Sequence, residues 1–291
     1  MTPDVARLFN RASGAYDAHA ALQSEVRDNL LQRLTLTRLQ PRVILDAGAG
    51  TGHASIALKR RYPDAKVFAL DISAGMLTQA QRQQGLWRKF LRVRGDAQQL
   101  PFAAGSVDLV FSNLLLQCCD PDTVLREFQR VLRPGGLLSL TSLGPDTLRE
   151  LRSAGAQVDA REHIQLFIDM HDLGDAIIRA GFTAPVLDTE RYTLQYSNLT
   201  ALLSDVRFIG ANTRCESARR GLIGRSRLHA LERAYEPLRS AGRLPASYEV
   251  VFANAWANAG RTLQGSDEAN VSLAEVSAAL RRAAKGSARP P

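Results

Sequence analysis

The chain has 291 residues, 45% of them hydrophobic and 23% charged, which is enough for one large domain with a full core. No apolar run approaches the ~18 residues that a membrane span needs, and residues 1–17 lack the apolar stretch of a signal peptide, so the expected location is the cytoplasm with no membrane partner. Lysine plus arginine number 37 against 29 acids, a net charge of +8 that favours acidic partners without choosing between nucleic acid, an acidic carrier protein and a generally basic surface.

Three cysteines, the adjacent Cys118 and Cys119 and the remote Cys215, have neither disulfide-framework nor zinc-type spacing, so no metal is expected. In chain order, residues 6–34 predict one or two helices with an apolar stripe at Leu22, Val26, Leu30 and Leu34, ended by Pro41. Val43 to Leu45 reads as a short buried strand running into the turn Asp46-Ala47-Gly48-Ala49-Gly50-Thr51-Gly52, with a helix to Arg61 behind it. Strands at 66–70, 90–93, 107–112 and 137–142 alternate with helices at 74–84 and 121–132, which predicts a parallel, doubly wound α/β sheet. Beyond Gly144 comes a helical stretch, then a short helix capped by Asp172 and ended at Gly181. Val186 to Gln195 and Tyr248 to Trp256 supply the last two strands. The roughly fifty residues between them, too long for a tight connection, predict a helical insertion of two or three helices at about 198–240. From Thr262 onward the chain turns small and polar, and residues 261–291 are expected to form a mobile tail.

A glycine-rich turn between a strand and a helix lets backbone approach a ligand closely. The spacing here is Gly-x-Gly-x-Gly at 48, 50 and 52, whereas the dinucleotide fingerprint is Gly-x-Gly-x-x-Gly, so the nicotinamide reading takes second place. A tight structural turn is the alternative. Asp71 ends the second strand, where a carboxylate can accept from both ribose hydroxyls, though it could equally be a helix cap, as could Ser73. Asp96 follows the third strand within reach of an adenine, or is a turn aspartate. Arg133-Pro134-Gly135-Gly136 forms a turn before the fifth strand. All of these are expected at the carboxyl ends of strands, where such sheets bind ligands.

These motifs, with Leu70-Asp71-Ile72-Ser73, Met76-Leu77, Gly95-Asp96-Ala97 and Leu100-Pro101-Phe102, resemble the class I S-adenosylmethionine-dependent methyltransferase family over residues 40 to 145. The resemblance implies a Rossmann-like, mostly parallel seven-stranded sheet with helices on both faces, and S-adenosyl-L-methionine as cofactor. It implies that Asp46, Gly48, Gly50 and Gly52 surround the methionine portion, that Asp71 holds the ribose and that Asp96 with Ala97 faces the adenine. Ile72, Met76 and Asn113 complete the expected cofactor set. Ala49 stands where many members have cysteine.

The flanks Phe9-Asn10-Arg11-Ala12-Ser13, Tyr16-Asp17, Leu22-Gln23, Ser112 to Gln117, Gly144 to Leu148, Phe167 to Asp175 and Ser247 to Phe252 resemble a branch of that family. Its members methylate the free carboxylate of malonyl groups held by acyl carrier protein, on the way to pimeloyl and biotin. Cys118 departs from that pattern, which has tryptophan after Gln117. The implied organisation is an N-terminal helical cap over the cofactor at 1–39, a methyltransferase domain at 40–260, and substrate binding by the insertion. A carboxylate with a pKa of ~4 is already ionised near neutral pH, so no general base is expected. Tyr16 and Gln117 are the expected positioning residues, each with an ordinary packing or helix-start role as the alternative, and His163 and His171 read as structural. The insertion carries eight arginines and no lysine against four acids. Arg219, Arg220, Arg225 and Arg227 are the expected docking residues for an acidic malonyl-carrier protein, and Arg207 is expected to point inward to the malonyl carboxylate. Three other readings use the same fold: a related arginine hydroxylase, a nucleic-acid methyltransferase and a cofactor-binding adaptor. The amino-methylating Asn/Asp-Pro-Pro-Tyr motif is absent after strand four, which argues against nucleic acid.

Overall fold

The computed structural model describes residues 3–85, 89–158, 164–208 and 225–258. Two helices, α1 (Pro3–Ala12) and α2 (Ala21–Arg33), precede the sheet. The sheet has seven strands, β1 (Val43–Ala47), β2 (Lys66–Asp71), β3 (Leu91–Arg94), β4 (Val107–Ser112), β5 (Leu132–Leu143), β6 (Phe182–Tyr196) and β7 (Leu244–Ala257), in the order β3-β2-β1-β4-β5-β7-β6. Strands β1 to β5 pair in parallel, while β7 lies antiparallel between β5 and β6. The expected α/β class and mostly parallel sheet are therefore what the chain forms.

The central strands are apolar because both their faces are covered: every residue of β4 is buried, as are Ile44 to Ala47 of β1. Helices α3 (His53–Arg61), α4 (Ala74–Gln83) and α5 (Pro121–Val131) connect the parallel strands. After β1 the chain winds outward through β2 and β3, then returns to the other side of β1 for β4 and β5. That reversal leaves a crevice beyond the carboxyl ends of β1 and β4, the place where open α/β sheets take ligands.

Helix α2 buries Leu22, Val26 and Leu30, and Leu34 just beyond it, as their spacing predicts. Each fully buried apolar side chain contributes about 1.5–3 kcal/mol. Its far end is tied to β6 by Arg33, which contacts Asp188 and Glu190 at 2.5 Å each and lies 3.9 Å over the Phe252 ring.

Later parts differ from the expectation in detail. Strands β6 and β7 are longer than predicted because they pair with each other through thirteen register positions, a long-range pairing that local composition does not encode. Helix α6 (Arg149–Val158) follows β5, and α7 (Met170–Arg179) is capped by Asp169 rather than Asp172, with Asp169 accepting from the His171 amide at 2.8 Å. The Arg133 to Gly136 turn belongs to β5 and lies at its amino end, beside the start of β4. It is therefore on the opposite edge of the sheet from the crevice. Among the described residues the region between β6 and β7 contains α8 (Leu199–Phe208) and α9 (Arg225–Tyr235). The expected mobile tail at 261–291 lies outside the described residues. No helix among them is long and apolar enough to cross a membrane.

Candidate active site

The crevice holds two adjoining cavities that share Tyr16, Gly48, Gly50 and Asn113. The first, about 560 Å³, is lined by Asp71, Ile72, Met76, Gly95 and Ala97, with Phe9, Leu114 and Leu115 completing its apolar walls. The second, about 440 Å³, is more polar and is lined by Asp17, Gln23, Arg27, Asp46, Thr51 and His53.

The turn after β1 owes its shape to its glycines. Gly52 takes a φ of +85°, and a Cβ there would lie 2.8 Å from the Ala80 Cβ, so this glycine brings α3 and α4 together rather than lining a cavity. Asp71 fixes the same turn: its carboxylate accepts from the Gly50 amide at 2.9 Å and from the Ser73 amide at 2.8 Å. Burial raises the Asp71 pKa above the ordinary carboxylate value, and those backbone hydrogen bonds oppose the rise. Each of its oxygens has a further lone pair, so the group can still accept from two ligand hydroxyls. Asp46, at the end of β1, accepts from the Ser55 hydroxyl at 2.5 Å, and burial pushes its pKa up to about 7.

The N-terminal segment is stitched over this turn. Asp17 accepts from Thr51 and from Gln83, each at 2.6 Å. Asn10 accepts from the Gly75 amide at 2.7 Å, and a Cβ on Gly75 would lie 2.6 Å from the Ser13 hydroxyl, so only glycine lets the segment come this close. Tyr16 is packed edge-on against Phe9 and Phe208. Burial, with Asp71 nearby, drives its pKa well above the ordinary tyrosine value, so its hydroxyl is a neutral donor. On the other side, Asn113 donates to the Gln23 carbonyl at 2.9 Å and accepts from Thr141 at 2.9 Å. Thr141 in turn accepts from the Leu114 amide at 2.9 Å and so supports Leu114 at a φ of +51°, a left-handed conformation that costs a non-glycine residue about 1–3 kcal/mol.

Of the residues singled out from sequence, Tyr16, Asp46, Gly48, Gly50, Asp71, Ile72, Met76, Ala97 and Asn113 come together around the two cavities. Asp96 lines neither; its side chain accepts from the Gln98 amide at 2.9 Å while its neighbours Gly95 and Ala97 face the first cavity. Gln117 is buried in a single turn after Leu114 and donates back to the Leu114 carbonyl at 2.6 Å, which turns it away from both cavities. Arg207 is exposed rather than inward: α8 buries Leu199, Leu202 and Val206, and residue 207 falls one step off that stripe. Arg225 opens α9 and Arg227 is half-buried on it, while Arg219 and Arg220 lie outside the described residues. Asp17, part of the Tyr16-Asp17 motif, lines the second cavity, and so does Arg27, which no sequence motif singles out. The signal for Arg27 was available as the flank Ala20, Gln23, Ser24 and Arg27, at helical spacing beside the apolar stripe of α2.

An apolar cavity with one half-buried carboxylate, reached by a glycine turn and joined to a polar cavity, fits a nucleoside with a polar extension. This sheet and site define an S-adenosylmethionine-dependent methyltransferase, and residues 45–140 match the family model described as a methyltransferase domain. The fold is shared with the crystal structure of the YcgJ protein from Bacillus subtilis at a TM-score of 0.55 and 18% identity, covering 79% of this chain and 98% of that one. The chain is 48% identical to a malonyl-[acyl-carrier protein] O-methyltransferase of Methylovorus sp. (strain MP688) over 87% of its own length and 88% of the relative's. It is 49% identical to the protein of the same name from Xylella fastidiosa (strain M23), over 88% of each. The chain belongs to the malonyl-[acyl-carrier protein] O-methyltransferase family.

Proposed function

We propose that the chain transfers a methyl group from S-adenosylmethionine to the free carboxylate of a malonyl group on acyl carrier protein, giving a methyl ester for pimeloyl and biotin synthesis. The observation that carries the substrate is the similarity to proteins of that name along nearly the whole of both chains. The geometry supports it through Tyr16, a neutral donor at the junction of the two cavities.

The cofactor, when bound, supplies an electrophilic methyl group on a sulfonium. Asp71 would hold the ribose hydroxyls, with Ile72, Met76 and Ala97 against the base and Asp46, Gly48 and Gly50 around the methionine portion. The acceptor needs no proton removed, because a carboxylate with a pKa of ~4 is ionised at neutral pH. What remains is to orient the acceptor oxygen and to exclude water, which is proximity and desolvation rather than proton transfer. The Tyr16 hydroxyl can donate to the acceptor, and Phe9, Leu114 and Leu115 form the dry wall around it. Residues 1–39 serve as the cover of the site, and the basic segment between β6 and β7, with Arg225 and Arg227, faces an acidic carrier protein in the cytoplasm.

Mass spectrometry of malonyl-carrier protein after incubation with the enzyme and cofactor tests the reading. A single added methyl that mild alkali removes is the expected result. An alkali-stable product, or methylation of nucleic acid instead, would overturn it.

A further inference from the structure

The segment that carries Tyr16 has almost no core of its own. Residues Tyr16–His19 make a single 3₁₀ turn in which no residue is fully buried and which no side chain caps. A turn this short has poor internal hydrogen bonds, so contacts to its neighbours must place it. Asp17 ties it to Thr51 and Gln83, and the Tyr16 hydroxyl meets the Gln23 side chain of α2. A further set of contacts comes from α8, far along the chain. His19 Nδ1 lies 2.6 Å from Asp205 Oδ1, and because a carboxylate only accepts, Nδ1 carries the proton. The Phe208 ring stacks flat on His19, with centroids 4.5 Å and planes 5° apart, and meets the Tyr16 ring edge-on at 6.3 Å. Residues three apart share a face of a 3₁₀ turn and are neighbours on an α-helix, so the pair Tyr16 and His19 fits the pair Asp205 and Phe208.

Asp205 is itself held from behind. The Tyr196 hydroxyl of β6 donates to it, and the buried Tyr248 hydroxyl of β7 lies 3.2 Å from that of Tyr196. Tyr196 has one proton and gives it to Asp205, so Tyr248 donates to Tyr196. A chain of buried polar groups holds one arrangement, because any member that moves is left unsatisfied at a cost. Leu199, Leu202 and Val206 seat α8 below it. His19, Tyr196, Asp205, Phe208 and Tyr248 line neither cavity, and among the described residues Tyr16 is where their contacts reach both.

We infer that Asp205 is a positioning residue for methyl transfer, which acts through His19 and Phe208 to set where the Tyr16 hydroxyl stands at the junction of the two cavities. The inference rests on the reading that Tyr16 orients the acceptor carboxylate. It goes further by making α8, in the segment between β6 and β7, the mount of that hydroxyl. A helix that merely covered the Tyr16 segment would need only apolar contacts. An acid that takes one donor from the sheet and one from the N-terminal segment fixes orientation as well, because hydrogen bonds are directional.

A double-mutant cycle, read by single-turnover methyl transfer with cofactor and malonyl-carrier protein saturating, tests this. Asp205→Ala should slow the step on the order of tenfold, inside the ~10²-fold that a displacement of about 1 Å can cost, and leave S-adenosylhomocysteine affinity nearly unchanged by calorimetry. In the Tyr16→Phe background the same substitution should slow it little further, since the hydroxyl it places is already gone. His19→Asn, which keeps a donor near the Nδ1 position, should be faster than His19→Ala. Thermal unfolding checks each variant, and where Asp205→Ala does not fold, Asp205→Asn, with one acceptor oxygen instead of two, carries the same cycle. Additive losses in the cycle, or an equal loss of S-adenosylhomocysteine affinity, would overturn the inference and make Asp205 a packing residue. A raised KM for the carrier protein with an unchanged single-turnover rate would overturn it in favour of α8 as a docking surface. If Tyr16→Phe alone is as fast as the wild type, the reading of Tyr16 fails first and this one with it; if Tyr16→Phe is slow and Asp205→Ala is not, only this inference fails.

Discussion

The two cavities of the site share four residues but are built in different ways. The nucleoside side is made of strand ends and the turns that leave them: β1 delivers Gly48 and Gly50, β2 delivers Asp71 and Ile72, and the loop after β3 delivers Gly95 and Ala97. Most of its walls continue the sheet, tied together by contacts such as the Gly50 amide donating to the Asp71 carboxylate, while Phe9, Tyr16 and Met76 close it from the helices and the N-terminal segment. The polar side is half sheet and half helix, with Asp46 and Thr51 on one wall and a flank of α2 on the other. Its geometry depends on how α2 docks, through Leu22, Val26 and Leu30 beneath and through Asn113 and Arg33 at its sides. The first cavity is therefore built mainly by the sheet, and a separately packed helix forms one wall of the second.

The substitution with the largest expected effect strikes the sheet-built side. Gly52→Val places a branched side chain at a φ of +85° and 2.8 Å from Ala80. The left-handed backbone costs about 1–2 kcal/mol and the overpacking about 1–3 more. Urea titration should show a destabilisation of that combined order, and cofactor affinity should fall with it. A stable, fully binding Gly52→Val protein would show that the turn is softer than its contacts indicate.

Next in size is Asp71→Ala, expected to weaken S-adenosylhomocysteine by about 1.5–3 kcal/mol through lost charge-assisted hydrogen bonds. It should weaken 5′-methylthioadenosine, which lacks the amino-acid end, by the same amount, because both ligands carry the ribose. Unequal losses would blur the division between the two cavities.

That division also governs what could be read in the chain beforehand. The glycine turn and Asp71 are legible because their requirement is local: a turn must follow the strand, and an acid at a strand end points into the crevice. Arg27 and Gln23 are harder to read because only the docked orientation of α2 decides which flank meets the cavity. Arg207 is exposed rather than inward for the same kind of reason, its orientation being set by the Leu199, Leu202 and Val206 stripe. Gln117 shows a different failure. A polar residue just after a strand end looked exposed to ligand, but the left-handed Leu114 turns the chain so that the amide closes on its own loop. The Arg133 to Gly136 turn lies on the edge opposite to the crevice, as chain direction alone requires of a turn that precedes a strand. The long β6–β7 pairing, in contrast, depends on contacts far apart in sequence.

A smaller, pH-dependent effect separates the two walls of the polar cavity. Burial lifts Asp46 to about 7, opposed by the Ser55 hydroxyl, and the charged groups acting on it are Asp71, which raises its pKa, and Arg27, which lowers it. The folded apo protein thus holds a proton there that the unfolded chain releases near pH 4. Its contribution to stability is full below that range and is lost as pH rises toward about 7, then stays level. Ligand binding runs the other way, since an ammonium group favours the ionised carboxylate. Affinity for S-adenosylhomocysteine should therefore drop as pH falls below about 7, approaching about tenfold per pH unit, and Asp46→Asn should flatten the profile. Methylthioadenosine, without the ammonium group, should show no such dependence. A pH profile shared by both ligands would place the titrating group on the nucleoside side.

The smallest effect on binding is expected at Tyr16, which belongs to both cavities. Tyr16→Phe keeps the ring, with its edge contacts to Phe9 at 6.4 Å and Phe208 at 6.3 Å between centroids, and removes only the hydroxyl. Because burial holds that hydroxyl protonated far above working pH, it can donate a hydrogen bond but cannot act as a base. Losing one neutral hydrogen bond is worth about 0.5–1.5 kcal/mol, so both nucleosides should bind nearly as before. The loss should appear instead in single-turnover methyl transfer to saturating malonyl-carrier protein, where a misaligned acceptor oxygen slows the step without changing cofactor occupancy. With cofactor saturating at every pH, the rate should also show no inflection between pH 8 and 9 in either protein, because neither Tyr16 nor an ionised acceptor titrates there. If Tyr16→Phe abolished an inflection present in the wild type, the phenol would be exchanging protons during turnover and its role would be acid–base rather than positional.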